Sequence, residues 1–325
     1  MGRVGIGCKV DNPPARWETP EAAPSKGSAM ALHPFVIEFP SFLGPDVFAL
    51  DLGGFRLALK WYALAYIAGF LIGWRLIVAA LRRPALWPQD RAPMAPEAVE
   101  SLLTWIILGV ILGGRLGFVL FYQPAYYLAH PAQILAVWEG GMSFHGGLLG
   151  ATVAGFLFAR RNGVPPSALG DSMAMVVPVG LFLGRLANFV NAELWGHPTT
   201  LPWGVVFPGG AAVCPPDWPH VCARHPTQLY EAGLEGLLLG LILFLAVTRF
   251  GALKRPWLVT GMFLAGYGLA RFIVEFWRMP DDQFLAADPA GYVIRLGDLG
   301  LTMGQALSLP MLLAGLALIL TARRR

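Results

Sequence analysis

Residues 173–196 read Met173-Ala-Met-Val-Val-Pro-Val-Gly-Leu-Phe-Leu-Gly-Arg-Leu-Ala-Asn-Phe-Val-Asn-Ala-Glu-Leu-Trp-Gly196. The first half is as apolar as a membrane-spanning helix. The second half puts Arg185, Asn188, Asn191 and Glu193 where a spanning helix should carry none. A charged side chain at the centre of such a helix costs about 2.5–3.5 kcal/mol on insertion scales, so the cluster needs partners, water or a polar guest. The same conflict recurs at Arg115 and at Arg271 with Glu275. Three intramembrane arginines point to an anion held inside the bilayer.

Working outward, the 325-residue chain is 56% hydrophobic and only 14% charged. That composition predicts an all-α, polytopic membrane protein and excludes a soluble domain of this length. The net charge of +4 has no solvent-exposed basic domain to sit on, so nucleic-acid binding is excluded as well. Seven apolar segments are expected to span: 61–81, 99–122, 142–159, 172–195, 229–247, 257–277 and 303–320. Most reach the length of about 20 residues that the hydrocarbon core demands. Small residues four apart, as at Gly109, Gly113 and Gly117 or Gly146 and Gly150, allow close helix contact.

Basic residues set an orientation. One side carries Arg82, Arg83 and Arg91, Arg160 and Arg161, Arg249, Lys254 and Arg255, and Arg323, Arg324 and Arg325. The interhelical loops of the other side carry Arg224, Arg278 and Arg295. The positive-inside rule then places the N-terminus outside and the C-terminus in the cytoplasm, with Arg56 and Lys60 pulling weakly the other way. Residues 1–29, rich in Pro, Ala and charge, read as a disordered extension, with Met30 as an alternative start. Residues 30–325 read as one seven-helix membrane domain that includes an outer-face loop, 196–228. Cys214 and Cys222 share that loop; they pair if it faces an oxidising compartment, and two free thiols are the alternative. The paired Cys-x-x-Cys spacing of a zinc site is missing, and no metal is expected.

Depth follows from the 1.5 Å rise per residue. Arg115, Arg185 and Arg271 sit roughly 9–15 Å below the outer boundary. Tyr62 and His145 begin inward-running helices at the same face, and the run His225-Pro-Thr-Gln-Leu-Tyr-Glu231 leads into the fifth. Arg185 and Asn188 share a helix face; Arg271 and Glu275 can pair four apart, with Tyr267 one turn earlier. A polar pocket on the outer leaflet results. Plainer readings stand beside it: an intrahelical ion pair for Arg271–Glu275, snorkelling or a carbonyl contact for Arg115, a backbone hydrogen bond for His145. Arginine suits bidentate phosphate recognition, so the guest that fits is an anionic phospholipid headgroup.

The run 184–196 resembles the signature of the bacterial prolipoprotein diacylglyceryl transferases. The likeness extends through Trp61-Tyr62, Gly113-Gly114-Arg115, Gly140-Gly-Met-Ser-Phe-His145-Gly146-Gly147, the run 225–231, Gly266-Tyr267-Gly268 with Arg271 to Glu275, and Met303-Gly-Gln305. It covers the chain from about Met30 onward. The resemblance implies a transferase of lipoprotein biosynthesis in the bacterial inner membrane, active toward the periplasmic leaflet. Its substrates would be phosphatidylglycerol and a preprolipoprotein signal peptide with a lipobox cysteine. It would form a thioether and release glycerol 1-phosphate. His145, Arg185, Arg271 and Tyr62 are then the catalytic candidates. Arg115, Gly146, Gly147, Asn188, Asn191, Glu193, Gly196, Tyr267, Glu275, His225 and Gln228 are the substrate-binding ones. A thiol must lose its proton to attack, and His145 is the candidate base with Tyr62 and Glu275 as rivals. Displacement at carbon calls for no cofactor. The competing reading is a phospholipid flippase or transporter, which would need a cavity reachable from both leaflets.

Overall fold

A computed structural model describes residues 36–323 apart from 53, 54, 217, 281, 286, 287, 289 and 298. The extension 1–29 and the alternative start at Met30 lie outside the described residues. A short strand β1 (Ile37–Glu38) precedes a hairpin of β2 (Asp46–Leu52) and β3 (Phe55–Lys60). Helix α1 (Trp61–Leu81) follows directly, then α2 (Ala98–Phe121), α3 (Phe144–Arg161) and α4 (Pro166–Val190). Strand β4 (Val205–Val206) pairs in parallel with β1. Helix α5 (Thr227–Phe250) carries a π-helical stretch, Ala232–Leu238. Helix α6 (Leu258–Val274), a second hairpin of β5 (Tyr292–Leu296) and β6 (Leu299–Thr302), and α7 (Met303–Thr321) complete the order.

Five of these, α1, α2, α4, α5 and α7, are long and apolar enough to cross a membrane. The other two segments expected to span fall on α3, which does not meet that standard, and on α6, a 17-residue apolar helix. The fourth segment differs most. Its helix starts at Pro166, whose fixed φ suits the first helical position, and stops at Val190. Residues 191–196 are a turn in which Ala192 (φ 53°) and Leu194 (φ 58°) are left-handed.

Glycine seams draw the helices together. A Cβ on Gly113 would lie 2.7 Å from the Gly150 Cα, so α2 and α3 pack backbone on backbone. Helix α7 meets α6 the same way, with a Cβ on Gly268 falling 2.9 Å from the Ser308 carbonyl. Helix α6 has an unusual start. Asp171, 1% exposed on α4, accepts from the N–H groups of Trp257 (2.9 Å) and Thr260 (2.8 Å) and from the Thr260 hydroxyl (2.8 Å). One helix thereby caps the N-terminus of another, satisfying donors that α6 leaves open. Cys214 and Cys222 are disulfide-bonded.

Candidate functional site

Helix α4 delivers Arg185, α5 delivers Glu231 and Glu235, and α6 ends beside Arg271, Glu275 and Arg278. Both Glu231 and Glu235 are fully buried. Glu231 sits at the centre. Its carboxylate is 3.2 Å from Arg185 Nε and 3.3 Å from Arg278 Nη1, and it accepts from Arg271 Nη1. Arg185 also reaches Glu235 at 3.7 Å. Arg271 pairs with Glu275, one turn later, and Arg278 stands 3.7 Å from the same carboxylate. Thr302 donates its hydroxyl to Glu275 at 2.7 Å while capping α7 through a capping box with Gln305. Glu275 therefore lies at a helix N-terminus, where a negative charge is favoured. Gly304 leaves no room for a side chain there, because a Cβ would run into the Glu275 carboxylate.

A second knot adjoins the first. The Tyr62 hydroxyl donates to Glu193 and accepts from Asn188 Nδ2, which also reaches Glu193 at 2.8 Å. The left-handed turn after Val190 folds Glu193 back onto the helix it follows: its N–H donates to the Asn188 carbonyl at 3.2 Å. Gln228 donates to the Glu193 carbonyl and Thr227 to that of Leu194 (2.9 Å), so the start of α5 holds the turn.

Tyr62, Arg185, Asn188 and Tyr267 line one end of a cavity of about 530 Å³. Its remaining wall is apolar and runs between α1, α2 and α4 to Ile77, Val99 and Met173. The pocket thus has a charged head and a hydrocarbon-like tail.

Not every expected residue faces it. Arg115 is 4% exposed and gives its donors to loop carbonyls: Nε to Ile134 (2.8 Å), Nη2 to Gln133 (2.6 Å), Nη1 to Gly140 (2.5 Å) and Gly141 (3.2 Å). Its guanidinium also sits over Tyr127. His145 and Gly146 line a different groove, about 920 Å³, between α2 and α3; the preceding residue, Phe144, is the one that faces the charged cavity. A Cβ on Gly147 would lie 3.6 Å from the Val110 carbonyl, an ordinary contact. The Asn191 Oδ1 is buried without a hydrogen-bond partner among the described residues. His225 stands one layer outward, with Nδ1 3.1 Å from the Tyr230 hydroxyl; burial, then His197, hold its imidazole below the ordinary 6.5. Burial and Arg224 do the same to His197. Gly196 bridges to Arg278 and touches His225 and Thr227 so closely that no side chain fits.

Sequence reasoning missed Glu235 and Arg278, and took Glu231 only as the end of a motif. Glu231 and Glu235 did carry a signal: two carboxylates one turn apart opening an apolar run.

The profile of the family described as Prolipoprotein diacylglyceryl transferase matches residues 48–321. A phosphatidylglycerol–prolipoprotein diacylglyceryl transferase of Ruegeria pomeroyi is 61% identical over 289 residues, 89% of this chain and 98% of the relative. Proteins of the same name from Roseobacter denitrificans and Cereibacter sphaeroides are 56% and 59% identical, each aligned over 98% of its own length and over 88% and 89% of this chain.

Proposed function

We infer the chemistry from one premise: the chain belongs to the prolipoprotein diacylglyceryl transferase family. It transfers the diacylglyceryl group from phosphatidylglycerol to prolipoprotein, the first step of lipoprotein maturation. The finer chemistry is our reading of the site. The lipobox cysteine thiolate attacks the glycerol carbon that bears the phosphate. A carbon–sulfur bond forms, the carbon–oxygen bond to phosphate breaks, and glycerol 1-phosphate leaves. The thiol proton passes to a base on the enzyme.

One observation carries this assignment. Arg185 lines the head of a cavity that continues as apolar wall, and behind it shares the Glu231 carboxylate with Arg271 of a separate helix. Phosphatidylglycerol has the same division, an anionic head on hydrocarbon chains. Guanidinium N–H groups not taken by Glu231, Glu235 and Glu275 hold the phosphate. They stabilise it as charge grows on the leaving oxygen, and a preorganised donor of this kind is worth about 3–4 kcal/mol. Asn188, Tyr267 and the Tyr62–Glu193 pair border the headgroup glycerol. The carboxylates fix the arginine forks, so that little reorganisation is needed during reaction.

Two groups compete for the thiol proton. Tyr62, backed by Glu193, lines the cavity itself and can relay a proton to the carboxylate. His145 lines the neighbouring groove, one residue from cavity-lining Phe144, and serves if the peptide enters from that side. In the bilayer we place seven spans, α1 to α7, with the charged cavity toward the outer leaflet of the bacterial inner membrane. The opposing basic loops support that orientation.

The test is transfer by the purified protein from phosphatidylglycerol to a lipobox peptide, followed as the mass gain of a diacylglyceryl group. Arg185→Ala should cut the rate by at least about 10²-fold while the protein stays folded. Near-normal transfer by that variant removes the assignment. Loss of the pH dependence of the rate in His145→Gln, against its loss in Glu193→Gln, identifies the base.

A further inference from the structure

Glycines on the spanning helices do not all serve the same physical end. On α2 and α3 they are required by packing: a Cβ on Gly109 would lie 2.6 Å from the Ala154 Cβ, and one on Gly113 2.7 Å from the Gly150 Cα. Gly180 and Gly184 on α4 are different. A Cβ at either position meets nothing within 4 Å, and neither has a positive φ. Neither helix contact nor backbone conformation calls for glycine there, and glycine weakens a helix relative to alanine. Both residues line the charged-head cavity, so what they supply is its empty volume.

The cavity is also long. Along α4 it runs from Asn188 to Met173, and along α1 from Tyr62 to Ile77. Fifteen residues at 1.5 Å each make about 22 Å. One leaflet contributes only about 15 Å of a ~30 Å hydrocarbon core. The cavity therefore extends deeper than a lipid chain reaches in its own leaflet. Gly180 lies midway, opposite Gly69 of α1, whose own Cβ would make ordinary contact 3.6 Å from the Gly180 Cα.

We propose that the open notch at Gly180 and Gly184 sets the acyl-chain length the enzyme accepts, by letting one chain of the donor lipid pass the α1–α4 contact into the lower half of the cavity. This rests on the reading that the donor's phosphate lies at Arg185. A chain leaving bilayer for cavity exchanges one apolar surrounding for another, so fit, rather than hydrophobic burial, decides between chain lengths.

The experiment uses the full-length protein in detergent, a lipobox peptide, and phosphatidylglycerol with either two palmitoyl or two octanoyl chains. Gly180→Leu fills open space and should fold, as its unchanged melting temperature would report. It should lower transfer from the long-chain donor roughly tenfold, the scale of discrimination by fit in an apolar pocket, while the short-chain donor stays within about twofold. Gly180→Ala, the smallest addition, should move the ratio in the same direction and stands in if the leucine variant misfolds. Equal loss with both donors, or no loss with either, overturns the proposal. Arg185→Ala assayed on the short-chain donor keeps the two readings apart: its failure to transfer leaves the phosphate assignment standing whatever the glycine variants do.

Discussion

At the scale of single residues, Glu231 holds the site together. It is fully buried and meets three guanidinium groups. Removing one member of a buried ion cluster leaves the others uncompensated. Glu231→Gln is expected to cost on the order of 3 kcal/mol of stability, read as a lowered melting temperature in detergent, and to abolish transfer. Arg185→Lys keeps the charge but loses the planar fork, so it should fold normally and lose about 10²-fold in turnover. His197 and His225 predict a pH effect on the outer face. Their folded-state pKa values lie below the ordinary 6.5, so the unfolded chain binds protons more readily between those values. Their contribution to stability is complete above about 6.5 and is lost as pH falls toward the folded values. The melting temperature should drop between about pH 7 and pH 5, and less so in a His197→Gln/His225→Gln variant. Arg185, Asn188, Glu193, Arg271 and Glu275 were legible because a polar group in an apolar run has to be explained. Arg115 and His145 were legible as positions along their helices but not in direction. Rise along a helix follows from residue number, whereas azimuth depends on the neighbours the helix finds, and α2 and α3 found each other through their glycines.

Elements show a similar division. Apolar runs gave the positions of the helices, and their ends came from chemistry that periodicity does not contain. Helix α4 ends at Val190 although the expected span continues to Trp195, because Ala192 and Leu194 turn left-handed and Glu193 is bound by Asn188 and Tyr62. The hairpins β2–β3 and β5–β6 lie in segments outside the expected spans, to which no secondary structure was assigned. Helix α6 depends on a residue of another helix. Asp171→Ala should leave the Trp257 and Thr260 donors open and cost roughly 2 kcal/mol, visible in thermal unfolding. Asp171→Asn, which keeps one acceptor oxygen, should cost less. The π-helical stretch of α5 adds a residue to its turn just where Glu231 and Glu235 must both face the arginines, a local departure no hydropathy pattern announces.

For the whole molecule, the orientation is a prediction that topology reporters can check. A fluorescent protein fused after Arg325 should fluoresce, being cytoplasmic, and alkaline phosphatase inserted in the 209–216 loop should be active. The reverse pattern would place the charged cavity in the wrong leaflet. The shared carboxylate has a further consequence for synthesis. Arg185 leaves the ribosome 46 residues before Glu231, and Arg271 follows 40 residues after it. At about 5–20 residues per second, the first arginine waits roughly 2–9 s for its counter-charge. Through that interval the nascent fourth helix carries an unneutralised cation, so it should linger beside the insertion channel until the fifth arrives, and the two should partition into lipid as a pair.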